Sequence, residues 1–572
     1  MTPPSATLDP GAASRCAFRI VLEHDAVDQV AGVVDHDDTV RRRFDAAATH
    51  RGDVAATLLA LHGDRALDAG RDVARTLDAL ARVDLDVVVN PALGADPVHR
   101  RHGAPSLLVA EHGGSVTWRP VDVHNHFLTA GGSGTFRTSS LAAPSTSSSA
   151  RLDGRRLRKG GAWRRDVLRL AHHHRRLEDL GLAGASPLGG IVDRSSVLWW
   201  LDLDQAFDDR GTPLAQYDAR FAERVALLEA TEARAVDPSL ERPGAPWWHR
   251  ECEECPFAAT CRASLSATDD VSLVRFTSAT DQAVLRDLGV ATRRSLAALD
   301  LTLVARGAAT RDEPSKPDEP VGTSVGRRVK DAERLVRRAR VEVAGTLLRL
   351  VDAAALDARR ADVEIDFDME SYDNVTYLWG TLVTARAPTP GLSEGYLAFA
   401  EWGELTEHTE GALFARFYAW LTDTVRAAWA SGRTVGLYCF WEPAERAQIR
   451  RAMESGVVGL PSSDELHEVL LGSLIDLHAV VTAQIQTAGP AGLKVVAGAT
   501  GFAWRDDAPS GEASMAWYEE ARGADAAAAD AAVRRLLAYN EDDCRATRAL
   551  RDWLEGAARD LPSVEEARPA DS

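Results

Sequence analysis

A chain of 572 residues with 45% apolar and 26% charged residues has room for roughly two to four domains, and its composition excludes a wholly disordered, collagenous or disulfide-dense polymer. No apolar run approaches the ~20 residues that a bilayer crossing needs, and residues 1–10 lack the basic-then-apolar pattern of a secretory signal, so a soluble cytoplasmic protein with no membrane partner is expected. The net charge of −19, from 85 acids and 66 bases, argues against a non-specific coat for nucleic acid and directs attention to local basic patches. Only Lys159, Lys316, Lys330 and Lys494 are lysines; the remaining bases are all arginine.

Residues 1–265 mix helical patterns with short strands predicted at 85–89, 106–110, 118–126 and 196–203. The stretch 131–161 is rich in Ser, Gly, Thr and Arg, too poor in apolar side chains to order itself, and reads as a mobile loop. Residues 151–176 carry ten Arg or Lys against two Asp, which suits either a solvated basic face or a surface for phosphates. Asp122, His124 and His126 alternate, so one strand face would present all three to a metal; the competing reading is a satisfied or solvent-facing histidine pair. Cys252-x2-Cys255-x5-Cys261 has the spacing of metal or cluster ligands. A fourth ligand is needed: His249 would complete a zinc site, and Cys16 a four-thiolate cluster.

Between 266 and 345 the rhythm of Leu285, Leu288, Val290, Leu296 and Leu299 predicts short helices joined at Gly289, with packing as their role. Residues 307–326 lack periodicity and read as the main linker, followed by a basic helix over 326–340. The last domain is placed at 346–560, with a frayed acidic tail over 561–572.

Residues 363–370 alternate strictly. Val363, Ile365, Phe367 and Met369 share one strand face, and Glu364, Asp366, Asp368 and Glu370 share the other. Four like charges in a row demand something positive, and an Asp-x-Glu pair projects two carboxylates to one side, as two-metal phosphoryl-transfer sites require. Further on, Tyr539 and Asp543 stand four apart in a helical stretch and therefore share a face. The acid there can hold metal while the phenol orients an attacking water.

In this order and separation the two motifs resemble the DEDD superfamily of RNase H-like 3′–5′ exonucleases, tyrosine subtype. Asp368 and Glu370 match that family's first motif, and Tyr539 and Asp543 its last. Residues 377–380, 475–477, 492–494, 501–504 and 515–518 make the C-terminal half resemble, more closely, the YprB-type RNase H-like domain of RecB-like nucleases. The resemblance implies two Mg²⁺ or Mn²⁺ ions held by Asp368, Glu370, a middle acid and Asp543, acting on DNA or RNA, with single-stranded ends as the expected substrate. For the middle acid Glu445 fits best, with Glu442 and Asp476 as further candidates. Residues 14–19 and the Cys-x2-Cys-Pro-Phe run resemble the iron–sulfur staple of RecB-family nucleases, which implies a structural [4Fe–4S] cluster on Cys16, Cys252, Cys255 and Cys261. A PD-(D/E)XK core of that kind expects Asp, then Glu/Asp-x-Lys, then Gln-x3-Tyr. This chain instead offers Ser106, Asp122-x-His124, and Arg169 with His173, and Lys159 is the domain's one lysine. The implied fold is α/β: a restriction-endonuclease-like first domain, degenerate and retained for nucleic-acid contact, a helical middle, and an RNase H-like mixed sheet flanked by helices. The implied activity is metal-dependent exonucleolysis; the alternative is a catalytically inactive scaffold that binds nucleic acid in a repair or processing complex.

Overall fold

The computed structural model describes residues 6–24, 38–158, 162–313, 318–352, 356–386, 388–507 and 510–569. Lys159 and the ends of the chain lie outside the described residues. Two compact units emerge, 1–264 and 265–572. Among the described residues no helix is long and apolar enough to cross a membrane.

The first unit is built on an eight-stranded mixed sheet of β1 (Ala66–Asp68), β2 (Val87–Val89), β3 (Leu107–Glu111), β4 (Thr117–Val123), β5 (Thr129–Ser139), β6 (Ala150–Leu157), β7 (Leu188–Val192) and β8 (Leu198–Asp202), in the spatial order β1-β2-β3-β4-β7-β8-β5-β6. Successive side chains leave a strand on opposite faces, so the sheet feeds two cores. Helix α1 (Ala17–His24) opens the unit, and α2 (Asp38–His62) sets Val54 and Leu58 against Val87, Val109, Val121 and Trp200. On the other face α3 (Ala162–Asp179) and α4 (Pro213–Val236) bring Val167, Leu170, Tyr217 and Phe221 to Ile191, Trp199 and Leu201.

Two expectations for this unit need correction. The stretch 131–161 is not a loop throughout: β5 and β6 pair antiparallel from Thr129↔Leu157 to Thr138↔Ala150, with register shifts around Gly131 and Gly134. Backbone hydrogen bonds need no apolar side chains, and the apolar anchor comes from the neighbouring strand, where Trp200 pairs with Arg137 and Trp199 meets the edge of Phe136. The strand predicted at 118–126 also stops early, at Val123, so His124 and His126 lie on the chain that leaves the sheet rather than on a strand face shared with Asp122.

In the second unit, five short helices come first: α6 (Ala279–Asp287), α7 (Arg293–Ala298), α8 (Leu301–Ala309), α9 (Val321–Arg328) and α10 (Ala332–Val343); α5 (Ala258–Ala267) precedes them. Gly289 takes φ +78 at the joint between α6 and α7. The linker expected over 307–326 is, in its described part, the contact of α8 with α9. A Cβ on Gly307 would stand 1.9 Å from the Thr323 carbonyl oxygen, and one on Gly326 1.9 Å from that of Val304, so the two glycines let the helix backbones touch. The basic helix is divided in two at Asp331, and its arginines are not all solvated: Arg327, Arg338 and Arg340 are buried, Arg340 donating from Nε to Ala297 O at 3.0 Å and from Nη2 to Leu299 O at 2.8 Å.

The second sheet follows. Strands β10 (Val363–Tyr372), β11 (Val375–Ala385), β12 (Gly395–Ala400), β13 (Val435–Cys439) and β14 (Leu474–Asp476) lie in the order β12-β11-β10-β13-β14; β9 (Leu348–Leu350) pairs apart with β15 (Ile485–Thr487). The first three strands form an antiparallel meander, and β13 and β14 add on in parallel. The crossover to β13 is α11 (Glu407–Ala430), capped by Thr406; its Leu413, Phe414, Phe417 and Leu421 cover Val363, Ile365, Phe367 and Trp379. The acidic face of β10 is thereby turned to the opposite side, where α15 (Ala526–Glu555) lies. The chain is thus an α/β protein with an N-terminal mixed sheet and a C-terminal mixed sheet flanked by helices, the latter consistent with an RNase H-like fold.

Candidate active site

The acidic face of β10 divides into two halves with different partners. Glu364 accepts from Arg360 at 2.6 and 2.8 Å and pairs with Arg551 Nη2 at 3.1 Å, and Arg551 also bonds Asp366. These two acids have their cations from within the chain. Asp368 and Glu370 have no such ion pair among the described residues. Each offers an oxygen that, with one from Asp543, forms a group lying within 4.8 Å of one another.

Asp543 reaches this place because α15 presents a buried stripe, Leu536, Tyr539, Asp543, Thr547, Leu550 and Leu554, recurring every three or four residues. The same stripe sets Tyr539 one turn before Asp543. Asn540 donates from Nδ2 to Asp368 Oδ2 at 2.9 Å and accepts from Tyr396 OH at 2.9 Å. Gly380, opposite Asp368 in the β10–β11 ladder, makes room for that amide: a Cβ there would stand 1.6 Å from Asn540 Oδ1. Ser514 Oγ donates to Glu370 Oε2 at 2.8 Å, and Trp504 Nε1 to Asp543 Oδ1 at 2.7 Å. Lys494 Nζ donates to Tyr539 OH at 3.0 Å, and the phenol in turn hydrogen-bonds Asp543.

Burial and mutual repulsion set the electrostatics. Burial, then the charges of Asp543, Glu370 and Glu445, raise the Asp368 carboxyl well above its ordinary range. Burial and Asp543 push Glu370 up to about 8. Burial raises Asp543 as well. Lys494 is the base whose field reaches all three. A cluster of buried carboxylates that hold their protons this tightly would release them to a divalent cation, whose charge reverses the local preference.

Glu445 sits in the first turn of α12 (Glu442–Glu454), which follows β13 through Trp441 at φ 80. It is buried, its Oε2 has no hydrogen-bond partner among the described residues, and its charge is felt at Asp368, though it lies outside the group of three. Burial pushes it to about 8, with Asp476 and Glu442 adding to the rise. The two other candidates are engaged elsewhere. Glu442 pairs with Arg446, and Asp476 Oδ1 accepts from Trp441 N at 3.0 Å and His478 N at 2.9 Å, capping the helix Leu477–Gln484. Asp542, beside Asp543, is taken up by Arg505.

In the first unit Cys16, Cys252, Cys255 and Cys261 line one pocket, together with His249, on whose ring Trp247 stacks at 4.1 Å. Burial, reinforced by neighbouring thiols, pushes Cys252 up to about 12 and Cys261 to about 11, the latter against the opposing charge of Arg242. Asp122 accepts from Ser106 N at 3.1 Å and lies 3.7 Å from Arg169 Nε and 3.9 Å from His173 Nε2. Burial would raise this carboxyl, but His173, Arg169 and His124 outweigh it and hold the group at about 2. His172, His173 and His174 are all buried, His172 between His102 O and Tyr217 OH. Beside these elements a cavity of about 1030 Å³ is lined by Arg137, Arg151, Arg155, Arg156, Arg158 and Arg164, interleaved with Phe136, Trp163, Trp200 and Phe207.

Sequence reasoning passed over the residues that position the acids: Lys494, Trp504, Ser514 and Asn540. For Lys494 a signal existed. In a chain that uses arginine almost everywhere, a lysine marks a place where a compact ammonium differs from a planar guanidinium. Comparison with known proteins adds one finding: a family model described as the RNase_H superfamily matches residues 448–555. That range holds Lys494, Tyr539 and Asp543 and leaves Asp368, Glu370 and Glu445 before it. No curated protein and no solved structure matches the chain.

Proposed function

We propose that the protein is a metal-dependent nuclease, acting as a 3′–5′ exonuclease on DNA or RNA ends through Asp368, Glu370, Glu445 and Asp543. The observation that carries this reading is the group of three buried carboxylates on β10 and α15, with Lys494 as the cation they share. The RNase_H superfamily match over 448–555 supports nucleic acid as the substrate. Two Mg²⁺ or Mn²⁺ ions would fit four carboxylates, supplying an acidified water and charge stabilisation at the departing 3′ oxygen. The protein's own groups do the rest. Asn540 and Ser514 fix the carboxylates of Asp368 and Glu370, and Trp504 fixes Asp543. Lys494 donates to the Tyr539 oxygen and fixes the phenol beside Asp543, where it would orient an incoming water.

The first unit serves binding in this reading. Its arginine- and aromatic-lined cavity suits a single strand, with guanidinium groups on phosphates and rings against bases. Ser106 replaces the carboxylate that a PD-(D/E)XK centre requires, so that centre is degenerate. The four cysteines of one pocket would hold a structural [4Fe–4S] cluster that ties Cys16 to the segment after α4. Anaerobically purified protein is expected to be brown with broad visible absorbance, and colourless, zinc-containing protein would overturn the cluster. For the activity, wild type and Asp368→Ala are compared on end-labelled single strands of DNA and of RNA with Mn²⁺. Wild type alone should release mononucleotides; equal degradation by both proteins would end the assignment.

A further inference from the structure

The cation-binding chemistry of the first unit is not exhausted by its cysteines. Where β4 ends at Val123, the chain carries His124 and His126 past α3, and both imidazoles turn to the same carboxylate, Asp166. His124 Nε2 lies 3.4 Å from Asp166 Oδ1 and His126 Nε2 3.0 Å from Asp166 Oδ2. The rings stack at 5.3 Å with 22° between their planes. One ligand atom from each of the three residues falls within a 4.8 Å group.

Two explanations compete. In the first, the carboxylate is simply hydrogen-bonded by both imidazoles. The contact to His126 fits that account, but His124 Nε2 is buried and has no hydrogen-bond partner among the described residues. Asp166 itself is 6% exposed. In the second, the three atoms are ligands of one ion. Two donors at ~2.1 Å from a tetrahedral ion stand about 3.4 Å apart, the separation of His124 Nε2 from Asp166 Oδ1. The set of two imidazoles and one carboxylate also matches borderline divalent metals of the zinc type, and three protein ligands leave a fourth position open.

We propose that His124, His126 and Asp166 form a divalent metal site of the zinc class. The site differs from the one the sequence suggested. Asp122 was expected to join the two histidines, but it points to Ser106, Arg169 and His173, and the carboxylate comes instead from α3, forty residues beyond His126. The ion pins the segment after β4 to α3, beside the place where Ser106 has replaced an acid.

The test uses the full chain with its cysteine pocket intact. Wild type, His126→Gln, Asp166→Asn and Asp122→Asn are equilibrated with Zn²⁺, freed of loosely held metal by gel filtration, and analysed for zinc per chain. Zinc held by thiols or by the C-terminal acids is common to all four and cancels in the comparison. Wild type and Asp122→Asn should hold one equivalent more than His126→Gln and Asp166→Asn. Co²⁺ in place of Zn²⁺ should give wild type the visible bands of a tetrahedral nitrogen–oxygen site, absent from those two variants. Equal zinc in wild type, His126→Gln and Asp166→Asn would overturn the site, as would loss of the equivalent in Asp122→Asn alone. His126 is partly exposed on a connecting segment, so His126→Gln keeps the test decisive if Asp166→Asn fails to fold.

Discussion

Both units bury carboxylates beside a central sheet, and the neighbours of those carboxylates separate the two places. Around Asp122 stand Arg169 and His173, and the acid is held ionised at about 2 although burial opposes it. Around Asp368 and Glu370 stand other acids, and the carboxyls rise, Glu370 to about 8. Strand β10 shows the difference in ion pairing within eight residues: Arg360 and Arg551 pair with Glu364, and Arg551 with Asp366, which burial nonetheless pushes up to about 7, and no such ion pair reaches Asp368 and Glu370 among the described residues. Acids that meet their counter-charge inside the chain are finished pieces of structure. Acids that meet one another are a demand on something outside it.

The sharpest way to break this contrast is to remove one acid from each place. Asp543→Asn should lower single-turnover cleavage by about 10³-fold or more, the scale of several kcal/mol of charge stabilisation. Asp122→Asn should change it by less than about 2-fold, since no cleaving centre is expected there. Comparable losses in both would mean that the first unit also cuts. A smaller effect follows from the packing at Gly380. Gly380→Ala drives a methyl into Asn540, and the strained β10–α15 contact should lose about 1–3 kcal/mol of stability, read as a lower urea midpoint with unchanged m-value. An unchanged midpoint would show that α15 is free to shift.

The mildest test is pH. With its carboxyl at about 8, folded Glu370 keeps a proton that the unfolded chain, titrating near 4.5, has already released. Protons bound by the folded form exceed those of the unfolded form between these values, so this group lowers stability as pH rises through that window, fully above about 8. In metal-free protein, Glu370→Gln should therefore melt at a temperature closer to wild type at pH 6 and clearly above it at pH 8. Added Mg²⁺ should erase the wild-type disadvantage at pH 8, because a cation replaces the proton. Parallel melting curves at both pH values would remove Glu370 from the repelling cluster.

How much of this was legible beforehand depends on the range of the interaction. Alternation along 363–370 and the four-residue step from Tyr539 to Asp543 are local patterns, and the structure turns them into one strand face and one helix stripe. The resemblance added that the two should meet. Composition misled where order comes from a neighbour: a Gly- and Ser-rich stretch became strands because the sheet edge offered hydrogen bonds, and a stretch with no period became a helix crossing because its glycines permit contact. Neither Asp166 nor Lys494 could be assigned from spacing. Asp166 joins His126 from 40 residues away and Lys494 joins Tyr539 from 45 and the strand acids from further still, and only the folded chain shows which of many acids or bases arrives.

That Asp368 and Asn540 lie 172 residues apart in sequence has a consequence for biosynthesis. A ribosome that has delivered β10 but still holds α15 in its exit tunnel has made the strand without the helix that completes the cluster. The nascent polypeptide therefore carries Asp368 and Glu370 without Asp543 during that interval. The acidic cluster is complete only when the helix emerges and docks.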